Sequence, residues 1–119
     1  MGMQKVSIEA LARQQLKLAT DASSGRSAST IFGGHEKALR QTLLALVKDT
    51  TLAEHESPGE ATVYVVEGRV QLHAAGATWE ARTGDLLIMP SARHSIDALE
   101  DSVLLMTVAK TADNVSNKP

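Results

Sequence analysis

The chain has 119 residues, of which 43% are hydrophobic and 22% charged, a composition typical of one small globular domain. Its formal net charge of −2 gives no electrostatic reason to expect nucleic acid or an anionic membrane as a partner. The absence of cysteine excludes disulfides, zinc–thiolate sites and thiol nucleophiles.

The segment 1–29 is predicted to form a short helix followed by a linker. An imperfect apolar stripe runs from Ser7 to Ala19, and Ser7 is suited to cap the start of the helix. Residues 21–29 are rich in Ser, Ala and Gly, which is typical of a linker. The first residues lack the apolar run of a signal peptide, and no stretch reaches membrane-spanning length. We therefore expect a cytoplasmic location.

The segment 30–110 is predicted to form an all-β barrel or sandwich. Short aliphatic and β-branched runs alternate there with turn residues at close intervals. Residues 38–47 are open to two interpretations, because their Leu and Ala content suits a helix while their alternation suits a strand. Residues 111–119 are polar, and we expect them to form a flexible tail.

Two segments resemble the sequence motifs of the cupin family. His55 to Gly68 partly matches the pattern His-x-His-x-x-x(-x)-Glu-x-x-x-x-x-x-Gly, and Gly84 to His94 has the Gly, Pro and His of the second motif in the same order. The resemblance implies a small single-domain cupin of the RmlC-like type, which is a jelly-roll β-barrel. Cupins commonly form dimers, so the resemblance also implies a homodimer.

The family's metal site uses two His and one Glu from the first motif and one His from the second. Counted back from Gly68, the first His is His55, the second falls on Ser57 and the Glu falls on Ala61. His94 supplies the His of the second motif, so two of the four ligand positions are retained. No cofactor is therefore our first expectation, and a divalent transition metal such as iron, manganese, nickel or zinc is the alternative.

A metal would need a further donor, and His35 is the candidate to join His55 and His94. Glu60 lies one residue away from the position of the motif's Glu. On a strand a one-residue offset points a side chain to the opposite face, so Glu60 should point away from the interior unless the Pro58-Gly59 turn shifts the register.

The leading hypothesis is a pocket for one small ligand inside the barrel. Gln41 is included because the face that it shares with Leu43 is expected to turn inward, which would leave Arg40 facing outward. If the register differs, these two residues exchange places. Tyr64 should face outward and His73 should be exposed. The candidate pocket residues are His55, Ser57, His94, Gln41, Val63, Val65 and Met89.

Three functions are compatible with this pattern. The first is a small-molecule-binding cupin that is non-enzymatic or weakly catalytic. The alternative is a metal-dependent enzyme of the dioxygenase or isomerase type that uses His55 and His94. The third is an interaction module whose function is to form a dimer. We recognise no phosphate-binding glycine loop, nucleophile elbow or Ser-His-Asp arrangement in the sequence.

Overall fold

The computed structural model of the chain describes residues 2–55, 60–90 and 92–109. The side chains of Glu54 and His55 are outside this description. The helix found in these residues is neither long nor apolar enough to cross a membrane. In chain order the elements are α1 (Ile8–Asp21), β1 (Arg26–Phe32), β2 (Leu39–Leu46), β3 (Thr51–His55), β4 (Glu60–Glu67), β5 (Arg69–Ala74), β6 (Ala77–Arg82), β7 (Leu86–Ile88), β8 (His94–Ala98) and β9 (Ser102–Ala109).

The strands form two antiparallel sheets that share an apolar interior. The first sheet has the order β1-β2-β9-β4-β7, and the second has the order β3-β8-β5-β6. Neighbouring strands in these orders are often distant in sequence, as in a jelly roll, where the chain crosses repeatedly between the sheets. The predicted all-β jelly-roll architecture with one short helix is confirmed.

The structure decides one open interpretation and changes one local prediction. Within the segment 38–47, Leu39–Leu46 forms the strand β2, which pairs along its whole length with β9. The segment 21–29, predicted to be a linker, contains the last residue of α1 and the start of β1 at Arg26. This part of the prediction is wrong, because β1 pairs with β2 at the edge of the first sheet. Its Ser27 hydroxyl lies 2.7 Å from both the main-chain and side-chain oxygens of Gln15 in the helix.

The helix packs on the outer face of the first sheet. It begins as predicted, with the Ser7 hydroxyl accepting a 3.1 Å hydrogen bond from the Ala10 amide. Its apolar face covers odd-numbered residues of β2 and β9, which are consequently buried on the outside of the barrel. This helix cluster consists of Ala12, Ala19, Leu43, Ala45 and Val103, with Ile8, Leu11, Leu16, Ile31, Val47, Val66 and Leu105 packed against it.

The interior cluster lies between the two sheets and takes the alternate residues of the same strands. On β2 these are the even-numbered Leu44 and Leu46, which are 8% and 0% exposed. Each of these Leu side chains contributes about 1.5–3 kcal/mol by its burial. Strands β2 and β9 are thus apolar on both faces. The cluster consists of Leu44, Leu46, Ala61, Val63, Val65, Val70, Leu72, Ala81, Met89, Ile96, Ala98, Leu104 and Val108.

Gly68 forms the tight connection between β4 and β5 at one end of the barrel. Its φ of +101° lies in the region that only glycine adopts at low cost. A Cβ at this position would clash with the Ser102 hydroxyl and with the Asp101 carbonyl oxygen. The Ser102 side chain is itself fully buried and accepts a 3.1 Å hydrogen bond from the Arg69 amide. The start of β9 therefore fixes this turn, and with it the direction of β4.

Candidate functional site

The interior side chains lie in layers, and the layer at the end opposite Gly68 contains the candidate site. In the first sheet, strand register aligns Arg40 of β2 with Val108 of β9, and Val108 with Ala61 of β4. In the second sheet, His94 of β8 pairs with Ala74 of β5. We call these five side chains the mouth layer. Arg40 is only partly buried, so solvent reaches this end of the barrel.

His94 is the most deeply buried polar residue of the mouth layer, at 1% exposure. It shares the interior face of β8 with Ile96 and Ala98. Its Nδ1 lies 3.2 Å from the carbonyl oxygen of Ala92. Because a carbonyl oxygen only accepts, Nδ1 is the donor of this hydrogen bond. The contact holds the imidazole in one orientation.

Of the other two histidines predicted for the site, His55 lies beside His94 in the second sheet and His35 lies in a loop. The backbone of His55 in β3 pairs directly with that of His94, so the structure brings these two motif positions together. The side chain of His55 and all of Ser57 lie outside the described residues. His35 is in the connection between β1 and β2 and is exposed.

The predicted inward face of β2 is wrong, and this changes one candidate residue. Gln41 shares its face with Leu43, which packs under the helix, so Gln41 lies outside the barrel. There its side-chain amide donates a 3.2 Å hydrogen bond to the Thr107 hydroxyl. Arg40, predicted to face outward, instead shares the interior face with Leu44. The predicted faces of Arg40 and Gln41 are reversed because both faces of β2 are apolar and the helix covers the odd-numbered face.

The predicted apolar pocket residues are all on the interior face. Val63 and Val65 are fully buried in the interior cluster, one and two layers below Ala61. Met89 is 9% exposed, and its amide donates a 3.0 Å hydrogen bond to the Ala61 carbonyl. Met89 therefore lies beside the mouth layer, whereas Val65 belongs to the packed interior beneath it.

The described side chains of the mouth layer do not form a metal cage. Ala61 stands where the family pattern has a Glu, and Glu60 is exposed at the start of β4, as predicted. No group of three His, Asp or Glu side chains suited to a metal is present in the part of the chain that the structure describes. Arg40 also places a positive charge in the row of Ala61, and a cation there disfavours a divalent ion. The described residues consequently do not fit a resident metal.

A second polar cluster, which the sequence did not predict, lies on the outer face of the second sheet. The Nε2 of His73 is 2.7 Å from Asp97, and the Thr51 hydroxyl donates a 2.7 Å hydrogen bond to the same carboxylate. The hydrogen bond from Thr51 and the interaction with His73 lower the pKa of Asp97 below its ordinary value. His73 is partly exposed on the outer face, where its Nδ1 also lies 3.1 Å from the Thr78 hydroxyl.

A third polar cluster lies at the opposite end of the barrel, around Arg69. Its guanidinium lies 2.8 Å from Glu80 and 3.1 Å from Glu100. The hydrogen bond to Glu80, followed by that to Glu100, raises the pKa of Arg69 above its ordinary value. Both partners are exposed, so this cluster is a surface ion-pair network and not part of the mouth layer.

Comparison with solved structures defines the class of the fold. A conserved protein of unknown function from Streptococcus pyogenes, SPY1581, is 24% identical with a TM-score of 0.68, over 76% of this chain and 78% of that one. An RmlC-like cupin from Shewanella frigidimarina is 19% identical with a TM-score of 0.66, over 80% and 85%. KdgF from a Halomonas species is 20% identical with a TM-score of 0.64, over 80% and 89%. These similarities establish the cupin fold.

The sequence itself establishes the family. Residues 43–109, more than half of the chain, match the model of the cupin domain family. The chain therefore belongs to that family, as the two motifs indicated. A comparison with curated proteins gave no match.

Proposed function

We propose that this chain binds a small molecule at the mouth layer of its barrel, and that it does so without catalysis or with weak catalysis. The observation that carries the proposal is the buried His94, whose ring is held by the Ala92 carbonyl at the end of an apolar interior. Ligand pockets are typically lined by apolar side chains with a few fixed polar groups. His94 supplies such a group, and Val108, Ala61 and Met89 supply apolar surface around it.

Binding is a better explanation of this site than catalysis. General acid–base chemistry usually depends on two titratable groups whose pKa values are pushed apart. The described side chains of the mouth layer include one imidazole, that of His94, and no carboxylate that could act as its partner. His55, whose backbone pairs with His94, is the candidate to join it in holding the ligand.

Thermal-shift measurements against a library of metabolites test this proposal. A compound that binds the folded chain should raise its melting temperature in proportion to the logarithm of its concentration above Kd. The shift should be lost in His94→Ala and retained in His73→Ala, the matched control on the outer face. A library without any stabilising compound, or a shift that His94→Ala leaves unchanged, would contradict the proposal.

The alternative function is a metal-dependent enzyme of the dioxygenase or isomerase type that uses His55 and His94. The backbone pairing of these two positions favours it, and the positive charge of Arg40 opposes it. Metal analysis of the purified protein separates the two functions. A stoichiometric transition metal that is lost in His55→Ala would support the enzyme, whereas the binding proposal predicts the same low metal content in both proteins.

We also propose that the chain is a cytoplasmic homodimer. Tyr64, Leu86 and Ile88 are 41%, 55% and 71% exposed, and the register of β4 and β7 brings their strand positions together on the outer face. A contiguous exposed apolar patch of this kind often marks an interface. Light scattering should give the mass of a dimer for the native chain and of a monomer for Ile88→Lys. The control Leu18→Lys, on the exposed side of the helix, should remain dimeric.

A further inference from the structure

We propose that the ligand of the mouth layer is a small organic acid with one carboxylate, which the guanidinium of Arg40 binds. This inference rests on the proposed function and names the chemical class of its ligand. It depends on the position of Arg40, on the charges around it and on the apolar side chains beside it.

The position of Arg40 follows from the unbroken register of β2. From Leu39 to Leu46, every residue pairs with β9 without a bulge, so alternate side chains keep to one face along the whole strand. Leu44 and Leu46 lie on the interior face, and Arg40 is on the same face. Its partner in the register is Val108, which is 4% exposed and belongs to the interior cluster. The long Arg40 side chain therefore lies against apolar interior surface while its position near the end of the barrel keeps it in reach of solvent.

Within the described residues, the charge of Arg40 is not balanced by a neighbouring carboxylate. No ion pair or side-chain hydrogen bond joins its guanidinium to another side chain in the described part of the chain. Arg69 provides the contrast, since two carboxylates hold its guanidinium at the other end of the barrel. A partly buried cation without a partner is attractive to an anion, because the two charges then stabilise each other in a region of low polarity.

The residues around Arg40 favour an organic acid over an inorganic anion. A guanidinium presents parallel N–H groups that match the two oxygens of a carboxylate. The neighbours of Arg40 on the interior face are Val108 in the same row and Thr42 and Met106 in the next. Apolar groups beside a single cation suit a ligand with one negative charge and an apolar remainder. A phosphate or sulfate would bring further charge and further acceptor oxygens, for which these neighbours offer only the Thr42 hydroxyl as a donor.

Calorimetric titration with matched pairs of compounds tests the inference. The probes are propionate, butyrate and benzoate, each compared with its neutral primary amide, and inorganic phosphate and sulfate are the anion controls. We expect the native chain to bind at least one of the acids roughly tenfold or more tightly than its amide, since a hydrogen bond to a charged group is lost. Phosphate and sulfate should bind more weakly than that acid.

Three variants locate the interaction. Arg40→Gln should weaken binding of the acid by roughly tenfold or more and leave the amide unaffected. Arg40→Lys, which keeps the charge and loses the planar fork, should give an intermediate affinity. Arg93→Gln removes an exposed positive charge beside His94 in the sequence and should change the affinity little.

The outcomes separate this inference from the function on which it rests. Equal binding of acid and amide, equal losses in Arg40→Gln and Arg93→Gln, or no binding of any acid would overturn the assignment to Arg40. A neutral compound from the metabolite library that requires His94 but not Arg40 would overturn it too, while leaving the proposed binding function intact. Acids that bind through Arg40 with the same affinity in His94→Ala as in the native chain would reject the role of His94 and leave the assignment to Arg40 intact.

Discussion

Replacing Gly68 by Ala should destabilise the fold far more than the same change at Gly84. Both glycines have positive φ, at +101° and +93°, and an alanine in such a conformation costs about 1–3 kcal/mol. At Gly84 the added Cβ meets no atom within 4 Å, so this strain is the whole cost. At Gly68 the Cβ clashes with the Asp101 carbonyl and the Ser102 hydroxyl, which adds about 1–3 kcal/mol. The total for Gly68→Ala is therefore about 2–6 kcal/mol.

Urea unfolding of the two variants and the native chain measures this difference. The free energies of unfolding should place Gly68→Ala below Gly84→Ala by about 1–3 kcal/mol, with a similar dependence on urea in all three proteins. Equal losses in the two variants would refute the reasoning, because they would mean that the start of β9 does not hold the turn between β4 and β5.

Two further variants test local conformations on the second sheet. Ala75→Asn should raise the free energy of unfolding in urea by about 0.5–1 kcal/mol, because Asn adopts positive φ more readily than Ala. Ala75 and Gly76 both have positive φ, as a type I′ turn requires. A loss of stability would contradict that turn. Asp97→Asn should cost about 0.5–1 kcal/mol at neutral pH, a value that allows for solvent screening of this partly exposed carboxylate. Because folding lowers the pKa of Asp97, its carboxylate contributes fully to stability above the ordinary pKa of 3.8, and this contribution is lost as the pH falls below that value. The unfolding curves of the two proteins should therefore converge in acid. A difference that persists at low pH would exclude this origin.

The fold could be predicted because the turns and motifs agree with one another. Gly68 fixes the end of β4, and counting back from it correctly placed Val63 and Val65 inside and Tyr64 outside. Where one face of a strand meets solvent and the other meets the interior, a period of two is visible in the sequence. On β4 this alternation, set by Gly68, was enough to assign the faces.

The faces of β2 could not be read from the sequence for a physical reason. Leu43 and Leu44 are both buried, one under the helix and the other in the interior, so apolar residues occupy successive positions. A strand that is covered on both faces loses its alternating pattern. Arg40 and Gln41 were assigned to the wrong faces for this reason, and the sequence contains no signal that would have distinguished them without the helix in place.

The start of β1 was missed because its composition reflects its position at the edge of the first sheet. Arg26 is charged, residues 27–29 are small, and the strand is alternately exposed and half-buried. An edge strand of this kind contributes little to the core and so resembles a linker. The contact between Ser27 and Gln15 depends on the packed helix, which local sequence patterns do not describe.

The position of Arg40 relative to Ala61 is the central claim, and the pKa of a carboxylate introduced at Ala61 tests it most directly. Ala61→Glu restores the family's residue type at a position that is 9% exposed. We predict that NMR titration of the introduced carboxyl group gives a pKa below the ordinary value of about 4.3 when Arg40 is present. In Ala61→Glu combined with Arg40→Gln, the pKa should rise above that value, because burial then acts alone. The same pKa in both backgrounds would show that Arg40 does not face the interior of the barrel.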